Sequence, residues 1–313
     1  MALLDDNRLL PHDVAGRSLA RLLYDSVKEA PIISPHGHVD PAWFAKDEAF
    51  SNPTELFITP DHYVLRMLVS QGISLDQLGI KRKDVSARDT AVNPRAIWHI
   101  FAAHYHLFRA TPSRMWLDHV FETLFELDGV LCAANADDYY DRISECLTQD
   151  AFRPRALFDR FNIEAIATTE SALDPLASHR ALALSDWDGR VITTYRPDAI
   201  INPNGADTGA FAMAIEALGE ITGLPTTTWD GYLDAHRDRR AFFRSFGATA
   251  TDHGHPTAFT TVLDQADAAV LFDKALHGRI GLQEAEQFRG HMLVEMARMS
   301  CEDGMVMQLH AGS

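Results

Sequence analysis

The 313 residues carry 44 acidic against 28 basic side chains, a formal net charge of −16, and this balance argues against nucleic acid or an anionic membrane surface as the main partner. At 46% hydrophobic and 23% charged the composition is that of an ordinary globular chain, long enough for one large domain or two smaller ones, and no apolar run approaches a membrane span. Three cysteines (Cys132, Cys146, Cys301) form no CxxC pair, and MALLDDNRLL is no secretory signal, so a reducing cytoplasm is expected.

In chain order, Leu19, Leu22, Leu23 and Val27 recur at helical spacing behind Asp13, a plausible N-cap, which predicts a helix over about 13–30. Pro31 ends it, and PIISPHGHV follows as a short buried strand. From about 41 to 160 the pattern is helical, punctuated at Asn52-Pro53, Asn93-Pro94 and Thr111-Pro112, and is read as an insertion after the first strand. Further strands are expected in IEAIATTE (163–170), RVITTYRPD (190–198), FGATATDHG (246–254) and MVMQLHAG (305–312), with helical stretches between them. Strands alternating with helices imply parallel βα units. Their C-terminal ends carry HGH, TTE, YRPD, TDHG and LHAG, and a (β/α)8 barrel keeps its active site at the C-terminal ends of its strands. The expectation is one partial (β/α)8-barrel domain over 1–313, with helical insertions and truncated after the fifth strand; an open α/β sheet with an edge strand last is the alternative.

The stretch IISPHGHVD (32–40) concentrates the functional question. Residues two apart on a strand share a face, so a strand extended through residue 38 turns His36 and His38 the same way, with Gly37 adding no bulk opposite. Two neutral imidazoles there suit a divalent metal; two surface histidines at a strand–loop junction are the other reading. Asp40 is read as a turn or helix-entry residue. The stretch TPDHYVLRML (59–68) reads as a helix start with Thr59 as N-cap and Pro60 first in the helix. His62, Tyr63 and Arg66 then line one side, near a helix N-terminus that favours anions. Arg196 ends a strand in TTYRPD and offers a bidentate grip on a carboxylate, with Asp198 placed to orient it or to cap the next helix. Asp252 and His253 precede Gly254 in TDHG, which reads either as polar groups at the site or as a turn. The histidines of WHIFAAHYHLF (98–108), at spacings of five and two, do not share a helix face and are read as surface residues.

The ordered set SPHGHVD, TPDHYVLRML, FNIEAIATTE, YRPD, GATATDHG and MQLHAG resembles the uronate isomerases, a branch of the amidohydrolase superfamily, from about residue 20 to the end. The resemblance implies a (β/α)8 barrel of the metal-dependent hydrolase type. It also implies interconversion of D-glucuronate and D-fructuronate, and of D-galacturonate and D-tagaturonate. A divalent metal, usually zinc, is implied at His36 and His38 with an aspartate from a last strand beyond Ser313. It further implies that His62 and Tyr63 reach the hexuronate, that Arg196 grips it, and that His310 stands beside the metal or bonds the substrate; helix spacing adds Arg66 to the substrate contacts, and Asp252, read from its strand end, joins His310 as a catalytic candidate. The pair after TT departs from the family's acidic pair, being Glu170-Ser171, and HPTA follows DHG. An aldose–ketose isomerase moves a proton between C2 and C1 and stabilises the oxygen that becomes negative. A metal-dependent hydrolase of an amide, ester or lactone is the competing class, since the same scaffold serves that chemistry; a non-catalytic binding protein is the third. Homo-oligomers are compatible with each.

Overall fold

The structure is a computed structural model describing residues 3–80, 92–203 and 209–312. It divides into two compact units, Met1–Ala30 with Asp47–Arg160, and Pro31–Lys46 with Phe161–Ser313.

The first unit is helical. The Asn-Pro and Thr-Pro pairs that punctuate the sequence turn out to be helix starts. Asn52, Asn93 and Thr111 each accept a hydrogen bond from a first-turn amide (Glu55, Arg95 and Arg114, at 3.0, 2.9 and 3.2 Å), and each is followed by a proline at the first helical position. Proline costs nothing there, because that amide has no partner inside the helix. The helices bury an aromatic core of Trp98, Phe101, Tyr105, Phe108, Phe121, Phe125 and Tyr139. Its polar tips are satisfied: the Trp98 indole donates to Ala136 O at 2.9 Å and the Tyr105 hydroxyl to Asp118 at 2.7 Å. The N-terminal helix is capped by Asp13 as expected but spans only Val14–Asp25, and its apolar residues Leu19, Leu22 and Leu23 are exposed.

The second unit is α/β with all strands parallel. These are β1 (Ile32–Ser34), β2 (Ile163–Ala167), β3 (Glu170–Ser171), β4 (Arg190–Ile192), β5 (Tyr195–Arg196), β6 (Ala250–His255) and β7 (Val306–Ala311). They form two ladders, β1-β2-β4 and β3-β5-β6-β7, every pairing parallel. Backbone hydrogen bonds join the two: Thr168 N to Ile192 O (2.8 Å), Glu170 N to Thr194 O (3.2 Å) and Ala172 N to Arg196 O (2.9 Å). Thus β2 with β3, and β4 with β5, are each one strand loosened at a Thr-Thr pair. The sheet thereby holds the five expected strands in chain order. The expected turn at Gly254 is corrected: β6 runs through Gly254 to His255, and its last residues pair with His310 and Ala311 of β7. A second core of Tyr195, Tyr232, Phe243, Phe272, Phe288, Met292 and Met296 packs the helices onto this sheet.

Candidate functional site

β1 stops at Ser34, so His36 and His38 stand in the loop that follows it, and strand alternation does not govern them. Their rings meet edge-on, with centroids 5.0 Å apart. A Cβ at Gly37 would lie a tight 3.2 Å from the Ala167 carbonyl oxygen, and Thr169 donates to Gly37 O at 2.9 Å. The loop is thereby held against the end of β2.

Alternation does govern the far edge of the sheet. Asp252 of β6 pairs in register with Gln308 of β7, and Gly254 with His310, so Asp252, Gln308 and His310 share a face. His310 Nε2 is 2.9 Å from Asp252 Oδ1, and the His36 and His310 rings lie 4.6 Å apart. His36, Asp252 and His310 each offer a ligand atom within 4.8 Å of the others, and no further such group is present among the described residues. His38 lies outside this trio, and its pKa is lowered by burial and then by the neighbouring His36 and Arg196. Asp252 is completely buried, and neither carboxylate oxygen has a well-formed hydrogen bond. Its charge is met by the Arg196 guanidinium, 3.2 Å from Oδ2, and its Oδ1 faces the His310 ring. Two imidazoles and one carboxylate are a donor set that divalent zinc accepts, so the residues fit a metal.

Arg196, at the end of β5, reaches the same carboxylate with NH1 3.2 Å from Asp252 Oδ2. Its Nε donates to Asp198 Oδ2 at 2.7 Å, and Asp198 in turn accepts from the Gly254 amide at 3.1 and 3.2 Å. Asp198 therefore orients Arg196, as one of its two sequence readings has it, while also opening the short helix Asp198–Ile201. His253, adjacent to Asp252 and so on the opposite face, contacts Thr251 Oγ1 at 2.9 Å behind the sheet. Burial pushes it down to about 3.

His62, Tyr63 and Arg66 belong to the helical unit. Their helix is His62–Val69 with Asp61 as N-cap, accepting from the Tyr63 and Val64 amides at 2.8 and 3.2 Å. The expected Thr59 cap and Pro60 start are corrected, because the Asp61 carboxylate reaches the first-turn amides itself. The His62 and Tyr63 rings lie 4.2 Å apart with their planes tilted by 34°, and Tyr63 and Arg66 line a hollow of about 590 Å³ with Met67, Ser70 and Phe108. The residue that sequence reasoning missed is Gln308, whose side chain contacts His36 Nδ1 at 2.9 Å and Pro35 O at 3.0 Å. Counting back two from His310 along β7 would have found it.

A family model described as glucuronate isomerase matches residues 1–313. The chain belongs to the glucuronate isomerase family. Among similar family members, the uronate isomerase of Rhizobium meliloti is 53% identical over 311 residues, and that of Xanthomonas axonopodis pv. citri 56% over 309; each match covers 99% of this chain. The chain spans 65% and 64% of those two relatives' lengths. The crystal structure of glucuronate isomerase from Caulobacter crescentus superposes with a TM-score of 0.92 at 50% identity, covering 98% of this chain and 63% of that one. The uronate isomerase structure from Thermotoga maritima, at 23% identity, has the same fold over 98% of this chain and 64% of its own, with a TM-score of 0.87.

Proposed function

We propose that the protein is a uronate isomerase, interconverting D-glucuronate and D-fructuronate and, on the same chemistry, D-galacturonate and D-tagaturonate. The observation that carries this reading is the Asp252 carboxylate, shared between the Arg196 guanidinium and the His36–His310 pair. It sets a cation-binding cluster beside a guanidinium suited to a sugar carboxylate. The names of the similar proteins point the same way.

In this reading His36, Asp252 and His310 would hold a divalent cation, zinc by the chemistry of the donors. Bound there, the cation supplies Lewis-acid stabilisation of substrate oxygens. Arg196 is fixed at Nε and NH1, and its remaining N–H groups grip the uronate carboxylate. His38, beside His36 and kept neutral by its surroundings, is a further ligand or contacts the substrate oxygens. The resemblance adds His62 and Tyr63 as substrate contacts, and helix spacing adds Arg66. The catalytic part of Asp252 and His310 is electrostatic: Asp252 ties the carboxylate-binding guanidinium to the metal cluster, so substrate carboxylate and carbonyl are held in one frame. An all-parallel sheet in chain order, with Gln308 of the last strand reaching the loop after the first, supports a (β/α)8 barrel in which residues 41–160 are an insertion. A cytoplasmic setting and homo-oligomers agree with a catabolic enzyme of this class.

The test is to incubate the 313-residue protein with zinc and glucuronate in D2O and follow the proton spectrum. Fructuronate should appear with deuterium entering at the exchanged carbon, stop on chelation and return with added zinc. Hydrolysis of a lactone or amide, without conversion of glucuronate, would instead favour the metal-dependent amidohydrolase.

A further inference from the structure

Gln308 stands on β7 two residues before His310 and shares its face, yet it reaches across to the loop after β1. Its side-chain amide makes two contacts there, and together they decide which way it points. The Pro35 carbonyl oxygen, 3.0 Å away, only accepts a hydrogen bond, so the atom facing it is the amide nitrogen. That leaves Oε1 facing His36 Nδ1 at 2.9 Å. Oε1 also only accepts, so the proton of this contact sits on Nδ1. In a neutral imidazole the other nitrogen, Nε2, then carries the lone pair.

We propose that Gln308 is a positioning residue that locks His36 in the Nδ1–H tautomer and so presents Nε2 to a divalent cation shared with Asp252 and His310. The assignment rests on the metal reading of that trio. A free imidazole in water prefers its proton on Nε2, the tautomer that would block this nitrogen. Gln308 reverses the preference before any ion arrives. The same amide ties the loop carrying His36 to the strand carrying His310, so these two ligands share one brace. Partners of this kind fix ring orientation and ligand basicity at metal sites, and their loss typically weakens metal affinity about 10- to 100-fold.

Two variants of the 313-residue protein test this. Gln308→Met keeps the length of the side chain and removes its hydrogen bonds; Gln308→Glu keeps an acceptor opposite Nδ1 while placing a carboxylate oxygen against Pro35 O. Zinc affinity is read by competition with a chromophoric chelator. Imidazole nitrogen shifts of His36 are read in the metal-free protein above the imidazole titration range, assigned by difference from His36→Gln. The wild type should show Nδ1 protonated. Gln308→Met should bind zinc about 10- to 100-fold more weakly, with the His36 proton moving to Nε2, and Gln308→Glu should stay close to wild-type affinity. Wild-type zinc affinity in Gln308→Met, or a wild-type His36 protonated on Nε2, would overturn the proposal. A wild-type protein that binds no zinc would overturn the metal reading, and the nitrogen shifts would still decide the tautomer lock. Should Gln308→Met fail to fold, the wild-type shifts and the Gln308→Glu affinity decide it.

Discussion

At the scale of single residues, burial and hydrogen-bond geometry separate side chains that look alike in the sequence. Asp252 and His253 are neighbours, and alternation sends one to the candidate metal site and the other behind the sheet. His236, which no motif singles out, is fully buried; the Tyr195 hydroxyl lies 2.8 Å from its Nδ1, and its Nε2 has no partner. Burial, then the charges of Arg240 and His253, pushes its pKa from 6.5 down to about 3. The unfolded chain therefore takes up a proton first as the pH falls. The stability contributed by neutral His236 is complete above about pH 6.5 and is lost progressively between about 6.5 and 3. Urea unfolding at pH 6.5 and pH 5 should differ by about 2 kcal/mol from this residue, taking ~1.4 kcal/mol per pH unit. In His236→Phe that part of the slope should vanish, even though the variant starts from lower stability. An unchanged slope would show that another group titrates.

Between elements, the contact that matters most for the proposed chemistry joins the end of β5 to β6. Asp198 accepts from both Arg196 Nε and the Gly254 amide, so one carboxylate fixes a guanidinium and registers two strands. Asp198→Ala should leave zinc affinity unchanged, because Asp198 touches none of the trio, while glucuronate binds about tenfold more weakly, or ~1.4 kcal/mol. Calorimetric titration of the zinc-loaded protein measures both. Equal glucuronate affinity would mean that Arg196 is held by Asp252 alone. The short motifs were legible at this scale because helix caps and strand ends are local: Asp13 and the Asn-Pro starts act within four residues of themselves. The first helix ends at Asp25 although its apolar spacing runs on to Val27, and the TPDHY helix starts behind Asp61 rather than at the Thr-Pro pair because the Asp61 carboxylate makes the cap.

For the whole molecule, the two aromatic cores lie in different compact units, one around Trp98 and Phe121, the other around Tyr232 and Phe288. Each unit has its own core to unfold, so calorimetry should resolve two transitions rather than one. Phe121→Ala removes a fully buried ring and should cost about 3–5 kcal/mol in one transition only. Phe288→Ala should lower the other. A single transition shifted equally by both would show that the units unfold together.

What depends on near neighbours is readable along the chain: the parallel α/β class, the five strand positions, the helical stretch, and which polar residues end each strand. The sequence also carried the family, because the motifs recur in a fixed order along the chain. Which of those residues meet depends on how distant segments pack. His36 lies 216 positions before Asp252 and 274 before His310 in the chain, and they converge because the loop after β1 reaches the C-terminal ends of β6 and β7. Strand spacing places Gln308 on the face of His310, but its role is set by the fold: an amide side chain carries no chemistry of its own until a carbonyl and an imidazole stand on either side of it.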